Sequence, residues 1–91
     1  STPEIRLNTI TDEEKFLISN KAIDYFSDNY KCNLIDGVKI LFEDGWGLVR
    51  ASNTQPVIVC RFEANNEKRM IEIKNIIMDK LFQFGELKIE E

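Results

Sequence analysis

The stretch VKILFEDGWGLVRASNTQPVIVCRFE, from Val38 to Glu63, decides the fold. Its first apolar residues recur at every second position, so that Val38, Ile40 and Phe42 share one face of a strand and Lys39, Leu41 and Glu43 the other. Glu43-Asp44-Gly45 then breaks the run. Asp-Gly between alternating segments signals a hairpin, because both residues tolerate positive φ. A second strand is expected over Trp46 to Ala51. A third follows over Val57 to Glu63, with Ile58, Cys60 and Phe62 on one face and Val57, Val59 and Arg61 on the other. Cys60 therefore reads as a small buried hydrophobe.

Working outward, Thr11-Asp12-Glu13-Glu14 has the form of a helix-capping box, with three acidic residues suited to the positive end of the helix dipole. The spacing of Phe16, Ile23, Phe26 and Tyr30 predicts a helix from Asp12 to about Ser27 with those residues on its buried face. Glu4 to Asn8 alternates as a half-buried strand does. Asn65 or Asn66 caps a second helix whose core stripe is Met70, Ile73, Ile77, Leu81 and Phe84, ended by Gly85. Leu87 and Ile89 alternate with charges and leave room for a short final strand. The expected architecture is α+β: a mainly antiparallel four-stranded sheet carrying both helices on one face.

With 91 residues, 43% hydrophobic and 31% charged, the chain has the length of one domain and ordinary globular composition. Residues 1–91 are read as a single domain, and the abrupt opening as that of a fragment excised from a longer protein. A formal net charge of −4 argues against a nucleic-acid partner, since phosphate-backbone binding needs a basic stripe. No apolar run of membrane-spanning length and no secretory signal is visible, so no membrane partner and a cytoplasmic location are expected. The chain has no histidine and only two cysteines, Cys32 and Cys60. This excludes a structural zinc site and any Ser/His or Cys/His nucleophile pair. A Cys32–Cys60 disulfide is compatible with the count, but nothing else points to an oxidising compartment.

Arg50-Ala51-Ser52-Asn53-Thr54-Gln55-Pro56 concentrates hydrogen-bond donors between two well-patterned strands. Arg50 offers a planar guanidinium able to grip two phosphate oxygens, Ser52 and Thr54 offer hydroxyls, and Asn53 an amide. Backbone amides converging as a nest would add donors, while Pro56 has none and fixes the exit. These residue types also make an ordinary turn, so composition alone does not assign the loop a ligand.

Asp36-Gly37-Val38-Lys39, Trp46 through Arg50, Ala51-Ser52-Asn53-Thr54-Gln55-Pro56 and Val57 through Ala64 closely resemble the C-terminal domain of the α-D-phosphohexomutase family, the bacterial phosphomannomutases/phosphoglucomutases. The opening Thr2-Pro3-Glu4-Ile5-Arg6 and both helices fall where that domain has them. The resemblance implies a fold similar in topology to the TATA-binding protein. It also implies that the loop binds the non-reacting phosphate of a phosphohexose substrate through Arg50, Ser52, Asn53 and Thr54. Gln55 departs from the glutamate or threonine of many members. The parent enzyme it implies is an intramolecular phosphotransferase that uses Mg2+ and a hexose 1,6-bisphosphate activator. Its phosphoserine and metal loop lie in other domains of the polypeptide. This chain is then expected to hold no catalytic residue, metal or cofactor of its own. The alternative is a non-catalytic interaction or regulatory module that keeps the fold.

Asp12-Glu13-Glu14 and Glu43-Asp44 are expected to be a helix start and a turn rather than acid/base pairs. Trp46 and Phe42 are expected to pack the sheet rather than stack on a sugar. Arg61 has two uses open to it, supplementing the phosphate loop or pairing with a nearby carboxylate, of which the ion pair is the expected one.

Overall fold

The structure is a computed structural model and describes residues 4–90. Thr2 and Pro3, part of the opening quoted above, lie outside the described residues, as do Ser1 and Glu91. The elements are β1 (Ile5–Asn8), α1 (Asp12–Asn29), β2 (Lys31–Asn33), β3 (Val38–Phe42), β4 (Gly45–Ala51), β5 (Val57–Ala64), α2 (Glu67–Phe84) and β6 (Lys88–Ile89). The sheet has six strands in the order β2-β3-β4-β5-β1-β6, not four. Every pairing is antiparallel. The four expected strands form its centre. The final strand is present as β6, and the addition the sequence did not announce is β2.

Alternation puts Leu7, Val38, Ile40, Val49, Ile58, Cys60 and Phe62 on one sheet face, where they are buried against both helices. From α2 come Ile73, Ile77, Met78 and Leu81, with Met70 and Phe84 at the margin, as the spacing predicts. The stripe of α1 differs from expectation. Ile18, Ala22 and Phe26 are the apolar residues in the core, whereas Phe16 is 53% exposed. Position 15 points inward in its place, and it is a lysine. Ile23 and Tyr30 do pack at the edge of the core. Phe26 and Phe62 are fully buried, each contributing about 1.5–3 kcal/mol through apolar area removed from water.

Both helix starts are capped: Thr11 Oγ1 accepts the Glu14 amide at 3.1 Å and Asn66 Oδ1 accepts the Arg69 amide at 2.8 Å. The β3–β4 hairpin forms, but its two turn residues are Glu43 and Asp44, with Phe42 paired to Gly45. No residue of this turn uses positive φ. Gly45 answers a different need, since a Cβ there would stand 2.4 Å from the Glu63 carbonyl oxygen of β5. Asp44 accepts from Arg69 Nε at 2.8 and 3.0 Å, which ties the turn to the start of α2. Phe42 lies in a chain of ring contacts running from Tyr25 through Phe26 and Tyr30. Trp46, on the face away from the helices, is covered by the Lys39 ammonium 4.4 Å from its ring centroid. Cys32 and Cys60 are free thiols. Burial pushes the Cys60 thiol up to about 12, and Cys32 donates to the Phe26 carbonyl at 3.3 Å.

Candidate functional site

Arg50 stands one residue before the end of β4, paired with Val59 of β5, and points away from the helices. Its backbone is crowded from the other side by Gly37. That residue has φ +65°, and a Cβ on it would come within 2.3 Å of the Val49 carbonyl oxygen and 2.7 Å of Arg50 Cβ. The guanidinium makes no hydrogen bond or ion pair with any described residue. It is half-buried and unspent.

The loop after β4 turns on Ser52. Its amide donates to the Val57 carbonyl at 2.9 Å, and its Oγ accepts the amides of Thr54 and Gln55, both at 3.3 Å. These bonds engage three of the four loop amides, so a backbone nest is not formed and Asn53 keeps the one amide without a described partner. The Ser52 hydroxyl retains its proton for donation outward. The side chains of Asn53 and Thr54 are exposed and bond to no described residue. Arg50, Ser52, Asn53 and Thr54 thus lie at one end of the sheet, Asn53 and Thr54 exposed and Arg50 and Ser52 half-buried.

The far side of the loop is tied down. The Gln55 carbonyl accepts the Val57 amide at 2.8 Å and the Lys15 ammonium at 2.8 Å. The next carbonyl, of Pro56, accepts the Thr9 amide at 2.8 Å, and the single Thr9 hydroxyl proton is shared between the Thr11 carbonyl at 2.8 Å and that of Pro56 at 3.0 Å. The Gln55 side chain accepts from Arg6, whose Nε also reaches Glu90 at 3.2 Å. Gln55 is therefore a structural member of the loop, joined to β1 and β6. Thr9, Lys15, Gly37 and Arg6 are supports that the local motif does not reveal, since each lies outside it.

Around the loop the outward sheet face carries several cations, of which Arg6 is ion-paired with Glu4 and Glu90. The register sets Arg6 and Arg50 on either side of Val59, and Lys39 and Arg61 on either side of Leu48. Arg61 is exposed and has no ion pair with a described residue, so the expected salt bridge is not formed. Asp12, Glu13 and Glu14 open α1, and Glu43 and Asp44 make the hairpin turn. Among the described residues, no group of three His, Cys, Asp or Glu side chains gathers as a metal-binding set. Nor is any described helix long and apolar enough to cross a membrane.

This is a two-layer α+β domain with a donor-rich loop closing one end of its sheet. A family model described as phosphoglucomutase/phosphomannomutase, C-terminal domain, matches residues 7–80. A phosphomannomutase/phosphoglucomutase of Pseudomonas putida is 46% identical over 85 residues, covering 91% of this chain and 18% of the relative. That of Pseudomonas aeruginosa is 43% identical over 83 residues, covering 89% of this chain and 18% of the relative. A solved structure of a phosphoglucomutase/phosphomannomutase family protein from Burkholderia thailandensis matches with TM-score 0.72 at 27% identity, covering 94% of this chain and 18% of that one. The chain belongs to the phosphoglucomutase/phosphomannomutase family, as its C-terminal domain, and spans 18% of the length of these curated relatives.

Proposed function

We propose that this domain anchors the phosphate that is not being transferred in an enzyme that interconverts hexose 1-phosphates and 6-phosphates. The observation that carries the reading is the pairing of a tied-down loop backbone with four outward donors, Arg50, Ser52, Asn53 and Thr54, none of them consumed by an ion pair. The oxygens of a phosphate monoester are chiefly acceptors, and a surface rich in donors, led by a planar guanidinium, complements them. The Arg50 contacts should contribute roughly 1.5–3 kcal/mol, as hydrogen bonds to charged groups do.

The role is positioning. Holding the distal phosphate fixes where the other end of the sugar lies, and orientation of this kind supplies a large part of a phosphoryl-transfer rate enhancement. The phosphoryl donor, the Mg2+ and the hexose bisphosphate belong to the other domains of the polypeptide in this reading. The described residues gather no donor set for the metal.

The bisphosphate must turn around within the cycle, so the loop meets a 6-phosphate in one half-reaction and a 1-phosphate in the other. It should grip phosphate and ignore the sugar. Titration of the chain with glucose 1-phosphate, glucose 6-phosphate and mannose 6-phosphate, followed at the backbone amides of residues 52–55, tests this. Saturable shifts with affinities within about fivefold of one another, equivalent to about 1 kcal/mol, are expected. Saturation by one regioisomer alone would refute the reading.

A further inference from the structure

Lys15 is the one charged residue among those described that the fold buries almost completely: it is 1% exposed and sits in α1 among the core-facing positions. Burying an ammonium costs several kcal/mol unless it is fully paired, and a methionine would fill the same space without that cost. The Lys15 ammonium is met by two hydrogen-bond acceptors and one aromatic ring. Nζ lies 2.8 Å from the Gln55 carbonyl oxygen, 3.2 Å from Asp12 Oδ1, and 4.9 Å from the centroid of the Phe16 ring. Of these only Gln55 lies far away in the chain, 40 residues on, at the exit of the donor-rich loop.

We infer that Lys15 is a positioning residue for the loop: its ammonium fixes the Gln55 carbonyl and thereby holds Ser52, Asn53 and Thr54 in the shape that receives a phosphate. The inference rests on the phosphate-anchoring reading of that loop. Two features make this one bond consequential. The Gln55 carbonyl already accepts the Val57 amide, so the added bond from Lys15 uses its second lone pair and fixes the plane of the Gln55–Pro56 peptide from two directions. Apart from the Arg6 bond to the Gln55 side chain, the segment before it is held, among the described residues, by bonds that begin or end on Ser52. Its geometry is therefore inherited from the exit.

The test uses inorganic phosphate as the probe and the 91-residue chain, native and Lys15→Met. Both are titrated at a temperature where circular dichroism shows each to be folded. The native chain should show saturable shifts at the amides of Ser52, Asn53 and Thr54. Lys15→Met should bind about tenfold more weakly. In the ligand-free state its heteronuclear NOE values should fall at residues 53–55 while those of α1 and α2 hold, a pattern that a general loss of stability does not produce. Should Lys15→Met fail to fold, Lys15→Gln, which keeps a neutral donor, takes its place and should bind at least threefold more weakly than the native chain. Saturable native binding that either folded variant matches within twofold, with unchanged NOE values, overturns the role of Lys15 alone. No saturable shift in the native chain overturns the anchoring reading and the inference with it.

Discussion

Gly37 lies against Arg50 so closely that a Cβ at position 37 would fall 2.7 Å from that of the arginine and 2.3 Å from the carbonyl oxygen before it. The left-handed φ of +65° adds a second demand that only glycine meets without strain. Gly37→Ala should destabilise the chain by at least about 2 kcal/mol, combining the left-handed penalty with the backbone collision. Urea denaturation checks the stability. The Arg50 amide should shift more than those of α2, since it is β4 that must give way.

Arg50 itself contributes nothing to the fold through ion pairing or hydrogen bonding among the described residues. Arg50→Ala should therefore leave the unfolding free energy within about 0.5 kcal/mol of the native value. In the full-length enzyme it should lower kcat/KM by about ten- to a hundredfold, the kinetic equivalent of losing charge-assisted contacts to phosphate. A well-folded variant with native kinetics would remove Arg50 from the site.

Cys60 supplies a pH dependence whose sign is fixed. Its thiol is neutral in the core and rises from 9.0 to about 12 because burial penalises the thiolate. The stabilisation it gives is complete below pH 9, the unfolded value, and is lost as pH climbs through the folded value near 12. Over that window its contribution amounts to about 4 kcal/mol. Cys60→Ala should flatten this part of the stability profile when both chains are unfolded in denaturant between pH 9 and 12. At pH 8 an alkylating reagent should modify Cys32 before Cys60, which is fully buried.

Turnover is the simplest measurement. The chain alone, supplied with Mg2+, glucose 1,6-bisphosphate and glucose 1-phosphate, should form no glucose 6-phosphate above a heat-denatured control. The phosphoryl donor of the proposed reaction belongs to other domains. A rate above that control would contradict the anchoring role.

The β3 strand is legible from sequence because it alternates against one buried face, β5 because its run is apolar on both faces from Val57 to Cys60, and α2 because its core stripe is wholly apolar. β2 is not legible. Lys31, Cys32 and Asn33 form an edge strand of three residues, with neither end buried, and the pairing with β3 rather than any alternation makes it a strand. The stripe of α1 misleads for a related reason. An apolar count places Phe16 inside, whereas the inward position belongs to Lys15, whose ammonium finds its carbonyl 40 residues away. At the loop, Arg50, Ser52, Asn53 and Thr54 stand out because their donors occur in one short run. Thr9, Lys15 and Gly37 do not, because their reason for being there is supplied by parts of the chain that only folding brings near.

Those supports carry a kinetic and evolutionary consequence. The ties from Arg6, Thr9 and Lys15 to Gln55 and Pro56 span 49, 47 and 40 residues. Contacts of such high order form late, after the entropy of closing a long segment has been overcome. The loop should therefore assemble when β1 and α1 dock, not when its own residues are synthesised. A peptide of residues 50–57 would lack its shape, and grafting that run onto another hairpin would transplant the donors without their geometry. Conversely, local opening of β1 would dissolve the loop in the same event. Ligand captured there should in turn protect the amides of β1, a strand that contributes no donor to the ligand, from hydrogen exchange.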